Sequence, residues 1–190
     1  LIGPAKSVTA IASKGFDERF VTAEGPMKGK SVPVLVPTTI NAIIEFVSGA
    51  QITFGTSWDV WKHGHTNPIE LYGSAGTMLV PDPNFFGGTV SYSKDGGDYV
   101  EVDAADAPFG RANWTGERAN YRMLGVADLL DAAEQGREPR CSGRVALHAL
   151  DIMVSILEAA ATRKVVDLST TTERPAPLTA IDAERLIAAR

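Results

Sequence analysis

The sequence predicts an α+β fold: a large, mostly antiparallel, open-faced sheet with helices packed on one face. Segments with an apolar residue at every second position fill the first half of the chain, and short turns containing glycine separate them. Helical spacing begins only at Glu117. Strands that precede the helices indicate α+β rather than alternating α/β. The uncovered face of such a sheet requires a second domain or subunit.

Composition excludes several functional classes. The chain has 190 residues, 44% of them hydrophobic, and a net charge of -5, which is typical of a globular domain and argues against a nucleic-acid surface. The single cysteine, Cys141, excludes an internal disulfide and favours a reducing cytoplasm. We see no signal peptide and expect no membrane-spanning stretch. The start at Leu1, without methionine, suggests a piece of a longer protein.

The first strands follow from alternation. Residues 6–14 predict a strand, and the Gly-, Pro- and Lys-rich stretch 15–37 predicts an irregular loop. Alternating apolar residues over 40–46 and 52–60, separated by Ser-Gly-Ala, predict a hairpin.

The segment IELYGSAGTMLVPDPN, residues 69–84, raises the question of a phosphate-binding loop. A dinucleotide fingerprint requires three glycines, a preceding strand and a following helix. Here Gly73 and Gly76 are followed by TMLVP, which is a second strand. The segment therefore predicts a hairpin turn whose two glycines adopt positive φ. Asp82 is expected to form an Asx turn.

The remaining elements complete the fold. TVSYS and DYVEVD predict another hairpin around residues 94–97, and 104–115 reads as a loop. Residues 117–135 predict a helix that ends at Gly136, with an apolar stripe on one face. That stripe comprises Met123, Val126, Ala127, Leu130 and Ala133.

A second helix is predicted over 144–163. Ser142 is its expected N-cap, and its apolar composition on most sides predicts burial. Within it, His148 is more typical of a satisfied core residue than of a ligand. KVVDL predicts a last short strand, and AIDAERLIAAR a short end helix.

One segment, SWDVWKHGH, concentrates polar and aromatic side chains. If the strand continues, its period of two places Asp59, Trp61, His63 and His65 on one face, with Trp58 and Val60 toward the core. Three interpretations are open: a zinc site, a polar strand end at the sheet rim, or the lining of a pocket for a polar ligand. The rim is favoured over the metal because Gly64 interrupts the strand and no fourth ligand is evident.

A second group lies at the start of the first predicted helix. Asn120, Tyr121 and Arg122 occupy its first turns, and Arg118 shares a face with Arg122. These side chains suit contact with a substrate or an acidic partner. A solvated helix face that pairs with Glu117 is an equally good interpretation. Cys141 has no base beside it in the sequence, so we do not expect it to act as a nucleophile.

Three segments together resemble the C-terminal domain of the Gfo/Idh/MocA oxidoreductases, the family of glucose-fructose oxidoreductase and inositol dehydrogenase. They are IELYGSAGTMLVPDPNFFGGTV, NYRMLGVADLLDA and SGRVALHALDIMVSILEAA, with ERP after them. The resemblance runs over residues 1–178, which it implies to be the substrate-side and oligomerisation domain of a dehydrogenase, and 179–190 form a tail. It implies a further N-terminal Rossmann domain that binds NAD or NADP, and a homodimer or homotetramer formed through the open sheet face.

The same resemblance sets expectations for the site. The family's glycine-rich nucleotide motif, its Glu-Lys-Pro motif and its proton-transfer helix do not occur in these 190 residues. No catalytic, cofactor-binding or metal-binding residue is therefore expected here, and the chain alone is expected to be inactive. A substrate contact is carried over to His65, with His63 nearby, and Trp61, Tyr121 and Arg122 complete the substrate-side candidates.

Two functional hypotheses result. The first is the C-terminal part of an NAD(P)-dependent oxidoreductase that acts on a sugar, cyclitol or similar polyol. The second is a stand-alone polyol-binding or scaffold module without catalysis.

Overall fold

The computed structural model describes residues 2–62, 68–85, 88–103 and 121–188. The chain forms two compact units, and each is described by itself. The first unit comprises residues 1–62 and 141–175, and the second comprises residues 63–140 and 176–190. The predicted loop at 104–115, together with Arg118, Asn120, His63 and His65, lies outside the described residues.

The first unit is built on a four-stranded antiparallel sheet. Its strands are β1 (Ala5–Ser13), β4 (Thr39–Phe46), β5 (Gln51–Ser57) and β10 (Val166–Asp167), in the order β10-β1-β4-β5. β4 and β5 form the predicted hairpin, with Glu45 opposite Gln51. The predicted first and last strands are confirmed and pair with each other, Val8 lying opposite Val166.

One face of this sheet packs against helix α2 (Gly143–Thr162). Alternate residues of β1 and β4 point toward the helix, because successive side chains in a strand leave opposite faces. The resulting core consists of Ala5, Val8, Ala10, Ala42, Ile44, Phe46, Ile156 and Ala159. On the opposite face the described side chains Thr9, Ile11, Asn41, Ile43 and Thr53 are exposed.

Helix α2 begins and ends as its sequence predicts, but its burial differs. Ser142 caps it, its Oγ accepting from the N–H of Val145 at 3.4 Å, and Arg163 ends it in the left-handed conformation. The prediction of burial on most sides is wrong, because only one face of a helix can meet a single sheet. Five apolar side chains on the opposite side are exposed: Leu147, Leu150, Met153, Val154 and Leu157.

Helix α2 also contradicts the expectation that no segment has the length and apolarity to cross a membrane. An 18-residue window within its 20 residues reaches a mean hydropathy of 1.6. Length and composition alone are weak support for a membrane span, since a core helix of a soluble protein passes the same test. α2 packs on a sheet through one face and buries His148 and Ser155 there.

The stretch 15–37, predicted to be an irregular loop, contains a small ribbon. Strands β2 (Glu18–Phe20) and β3 (Ser31–Pro33) pair antiparallel, with Arg19 opposite Val32. Three-residue strands are too short to show an alternating pattern, so they carry no periodic signal in the sequence.

The second unit contains a four-stranded antiparallel meander, β6-β7-β8-β9. Its strands are β6 (Ile69–Gly73), β7 (Gly76–Val80), β8 (Ser91–Ser93) and β9 (Val100–Glu101). The segment that raised the question of a phosphate loop is confirmed as a hairpin, with Gly73 paired to Gly76. Only Gly76 has positive φ, +149°. The prediction for Gly73 is wrong, because that residue continues the extended strand.

Two helices complete the second unit, α1 (Leu124–Gln135) and α3 (Ala180–Ala188), and they pack against each other. Gly136 ends α1 at φ +64°, as predicted. The predicted start is wrong within the described residues: Tyr121 to Met123 are not helical, and Met123 offers no side-chain cap. The predicted apolar stripe is also not the buried one, since Met123, Val126 and Leu130 are exposed, whereas Asp128 and Ala132 are buried.

The α+β prediction is confirmed. In the described part of the chain the strands are divided among three antiparallel sheets of four, two and four strands. The final segment, predicted as a tail with a short helix, forms α3, whose Ala183 and Leu186 are buried.

Candidate functional site

The segment after β5 does not continue the strand. β5 ends at Ser57, so the predicted alternation through residue 61 is interrupted, and Trp58 and Val60 do not face the core. Trp58 is 80% exposed and Trp61 fully exposed. Instead it is Asp59 that turns inward, because polar groups of the neighbouring segments surround its carboxylate.

Asp59 joins three parts of the first unit. The carboxylate accepts hydrogen bonds from Oγ1 of Thr38 (2.5 Å), Oγ1 of Thr39 (3.0 Å), the N–H of Gly15 (3.0 Å) and Nη2 of Arg19 (2.5 Å). The Thr38 hydroxyl is the main cause that lowers the pKa of Asp59 to about 2, and the Arg19 guanidinium acts in the same direction. A carboxylate so engaged is a poor proton acceptor near neutral pH, so Asp59 has a structural role here.

Gly15 leaves room for the Asp59 carboxylate in this arrangement. A Cβ at that position would lie 2.9 Å from the carboxyl carbon of Asp59, closer than real Cβ contacts. Arg19 makes two further contacts beside the Asp59 carboxylate. Its Nη2 also donates to the carbonyl oxygen of Trp58 at 3.1 Å, and its guanidinium lies 4.4 Å from the centre of the Phe16 ring. The segment that carries both tryptophans is therefore fixed to the β2–β3 ribbon.

The sequence-predicted site is only partly described. Trp61 lies at the surface of the first unit, four residues after the end of β5 at Ser57. His63 and His65 lie outside the described residues. Over 2–62, 68–85, 88–103 and 121–188, no three His, Cys, Asp or Glu side chains are grouped to hold a metal ion.

Tyr121 and Arg122 belong to the second unit, immediately before α1. Nη2 of Arg122 donates to Oδ1 of Asn84 at 3.3 Å. Asn84 in turn donates its backbone N–H to Oδ1 of Asp82 at 2.9 Å, which confirms the predicted Asx turn. The structure thus connects Arg122 to the PDPN turn, a partner that the spacing of the sequence did not indicate.

The first unit also contains a series of connected hydrogen bonds that the sequence did not predict. Nε2 of His148 accepts the N–H of Ala5 at 3.0 Å, so the proton of the neutral ring is on Nδ1, which faces Oγ1 of Thr170 at 3.0 Å. That hydroxyl donates to Oδ2 of Asp151 at 2.7 Å. The Thr170 hydrogen bond is the main cause that lowers the pKa of Asp151 to about 2. His148 is confirmed as a satisfied core residue, since both ring nitrogens have partners.

The second unit contains a cluster of three aspartates and three arginines, which we call the Asp/Arg network. Its ion pairs are Asp128 with Arg137 (2.7 Å) and Arg140 (2.6 Å), Asp131 with Arg137 (2.5 Å) and Arg185 (2.7 Å), and Asp182 with Arg140 (2.8 Å) and Arg185 (2.9 Å). Burial disfavours the ionised form of Asp128, but hydrogen bonds from Arg137 and Arg140 prevail and lower its pKa. The network connects α1, the 137–140 segment and α3.

This geometry defines the class of the protein as an α+β domain with an exposed aromatic segment after β5, which Asp59 and Arg19 hold in place.

No family model and no curated protein sequence matches the chain. Solved oxidoreductases share its fold. A levoglucosan dehydrogenase in complex with NADH and levoglucosan superposes with a TM-score of 0.67 at 20% identity, over 88% of this chain and 46% of that one.

Two further structures agree. An NAD binding oxidoreductase from Klebsiella pneumoniae gives a TM-score of 0.67 at 17% identity, over 88% of this chain and 46% of that one. An oxidoreductase domain protein from Kribbella flavida gives 0.65 at 16% identity, over 86% and 46%. The chain therefore has the fold of one part of these proteins and spans about half of their length.

Proposed function

We propose that this chain is the C-terminal, substrate-side part of an NAD(P)-dependent oxidoreductase of the Gfo/Idh/MocA type, acting on a sugar, cyclitol or similar polyol. The observation that carries the proposal is the shared fold: nearly nine-tenths of the chain superposes on a little under half of a dehydrogenase whose structure holds NADH and levoglucosan. At such low identity the likeness establishes the fold, and the activity is our inference from it.

A partner domain would supply the chemistry. In this proposal an N-terminal Rossmann domain binds NAD or NADP and provides the catalytic lysine and the proton-transfer residue. The exposed apolar side of α2, which includes Leu150 and Leu157, supports the presence of a packing partner, because contiguous exposed apolar surface is unusual on a free domain. We further propose assembly into a homodimer or homotetramer through the open face of the first sheet, and a cytoplasmic location.

Substrate contact is assigned to the segment after β5. His65 is the first candidate, with His63 and Trp61 beside it in sequence, and Tyr121 and Arg122 are candidates in the second unit. Trp61 is fully exposed on a segment whose backbone Asp59 and Arg19 hold in place. An indole presents an apolar face to the C–H groups of a sugar, and imidazole and guanidinium groups bond to its hydroxyls.

The test uses the protein expressed from its complete coding region. Reduction of NAD⁺ and of NADP⁺ is measured with levoglucosan, glucose, myo-inositol and glycerol. We expect turnover with at least one polyol, and a raised KM for His65→Ala compared with the matched surface variant Lys62→Ala. Failure of the complete protein to bind either dinucleotide would contradict the proposal, as would micromolar binding of one by residues 1–190 alone.

The second candidate, a polyol-binding or scaffold module without catalysis, is favoured by the exposed Trp61. It requires that a polyol raise the melting temperature of the protein, since a ligand that binds only the folded state stabilises it. It further requires that the complete protein bind no nicotinamide cofactor.

A further inference from the structure

The hydrogen bonds of the segment after β5 end at Asp59, two residues before Trp61. The backbone N–H of Asp59 donates to Oγ of Ser57 at 3.0 Å, and its carboxylate accepts from four donors of neighbouring segments. Within the part of the chain that the structure describes, residues 60–62 make no hydrogen bond. Trp61 is fully exposed, so its position is determined by the direction in which the backbone leaves Asp59.

Arg19 fixes that direction, because one guanidinium nitrogen binds two points of the segment. Nη2 of Arg19 donates to Oδ1 of Asp59 at 2.5 Å and to the carbonyl oxygen of Trp58 at 3.1 Å. The ion pair is partly shielded from water, since 14% of the Asp59 side chain and 40% of the Arg19 side chain are exposed. A side-chain anchor and a main-chain anchor on consecutive residues together specify an orientation, whereas either one alone would leave the segment free to turn.

Gly15 sets the place of the carboxylate. Its N–H donates to Oδ2 of Asp59 at 3.0 Å, and a Cβ on Gly15 would lie 2.9 Å from the carboxyl carbon. The φ angle of Gly15 is not in the left-handed region, so an alanine there would meet the Asp59 side chain without backbone strain. One methyl group at this position can therefore shift the carboxylate without removing any donor or acceptor.

We propose that Asp59 and Gly15 are positioning residues of the polyol site, which direct Trp61 without touching the substrate. The inference rests on the proposed function, because it requires that Trp61 contacts a polyol. An indole packs on the C–H groups of a sugar in the ground state and in the transition state alike. Loss of such uniform binding raises KM and leaves kcat nearly unchanged.

Hydrogen exchange of the complete protein tests the positioning without any substrate. The N–H of Trp58 donates to the carbonyl oxygen of Thr38 at 2.8 Å, so its exchange rate reports opening of the segment. Gly15→Ala displaces the carboxylate, Asp59→Asn removes its charge, and Thr38→Val removes one donor to it. In each variant we expect the Trp58 amide to exchange about 10-fold faster, because a hydrogen bond to a charged group is weakened or lost.

Two matched controls separate this effect from general loss of stability. Gly143→Ala adds the same methyl group in the same unit, where no atom lies within 4 Å. Asp17→Asn removes an exposed ion pair with Lys14 that does not touch the segment after β5. Both controls should leave the exchange of the Trp58 amide at the wild-type rate. Circular dichroism confirms that each variant is folded.

Steady-state kinetics then test whether the effect acts through Trp61. With a polyol that the complete protein oxidises, Gly15→Ala and Asp59→Asn should each raise KM about 10-fold and change kcat by less than about 2-fold. In a Trp61→Ala background the same two changes should add little, because a residue that acts through Trp61 has no further effect once the indole is gone.

The possible outcomes are distinct. Wild-type exchange of the Trp58 amide in Gly15→Ala and Asp59→Asn would overturn the inference, as would an unchanged KM. A rise in KM that persists in full in the Trp61→Ala background would overturn it as well. Absence of turnover with every polyol contradicts the proposed function and with it the polyol site, whereas the exchange rates still decide whether Asp59 and Gly15 direct the segment.

Discussion

Gly76 is the position in the second unit at which we expect an added methyl group to lower the stability most. It starts β7 at φ +149°, a conformation that residues with a side chain rarely adopt. A Cβ there would also lie less than 3.0 Å from the carbonyl oxygen of Ser93 on the neighbouring strand β8. The oxygen belongs to the backbone of a paired strand, so relief requires β7 and β8 to move apart.

We expect Gly76→Ala to lower the free energy of unfolding by about 2–6 kcal/mol, from about 1–3 kcal/mol of backbone strain and a similar amount for the steric overlap. Gly73→Ala is the matched control, because its Cβ would lie 3.6 Å from the nearest atom and its φ is not positive. Urea unfolding monitored by circular dichroism and by tyrosine fluorescence measures both variants. Equal destabilisation of the two would refute the reasoning, as would a Gly76→Ala variant that is as stable as the wild type.

Three other predictions concern the first unit. Ser142→Ala should lower its stability by about 1 kcal/mol through loss of the α2 cap, measured by urea unfolding, whereas Ser142→Asn should retain most of it. Ile156→Ala should cost about 2–5 kcal/mol through a core cavity. Glu158→Ala, at an exposed position of the same helix, is the control and should cost much less. Because the pKa of Asp151 is about 2 in the folded state and 3.8 without its partners, its contribution to stability is present above pH 4 and is lost as the pH falls toward 2. The stability difference between wild type and Asp151→Asn should accordingly shrink from pH 5 to pH 2 in thermal unfolding, and a constant difference would contradict the assignment.

Local patterns predicted the strands well where one face is buried. The alternation of Ala42, Ile44 and Phe46 in β4 follows from packing against α2, and a pattern of period two is visible in sequence because the sheet has one buried face. The turn at Gly76 and the caps at Ser142 and Gly136 were also predictable from the sequence, because each depends on a few adjacent residues.

Features that depend on distant partners were not predictable. The sequence predicts an apolar stripe on one face of α1, whereas the structure buries Asp128. The ion-pair partners of Asp128, Arg137 and Arg140, lie beyond the end of the helix. In the same way the side chain of Asp59, and not that of Trp58, is the partly buried one, because Thr38 and Gly15, more than twenty residues away in sequence, supply its donors. Hydrogen bonds of this kind override periodicity and leave no periodic signal of their own.

The Asp/Arg network has a practical consequence for anyone who trims or tags this protein. Shortening the chain before α3 would remove Asp182 and Arg185 together, and would leave Arg140 without one carboxylate and Asp131 without one guanidinium. The last helix belongs to the folded unit as fully as α1 does. Natural variation at these six positions should therefore proceed by exchanges that keep each pair opposite in sign, and single charge reversals should be rare.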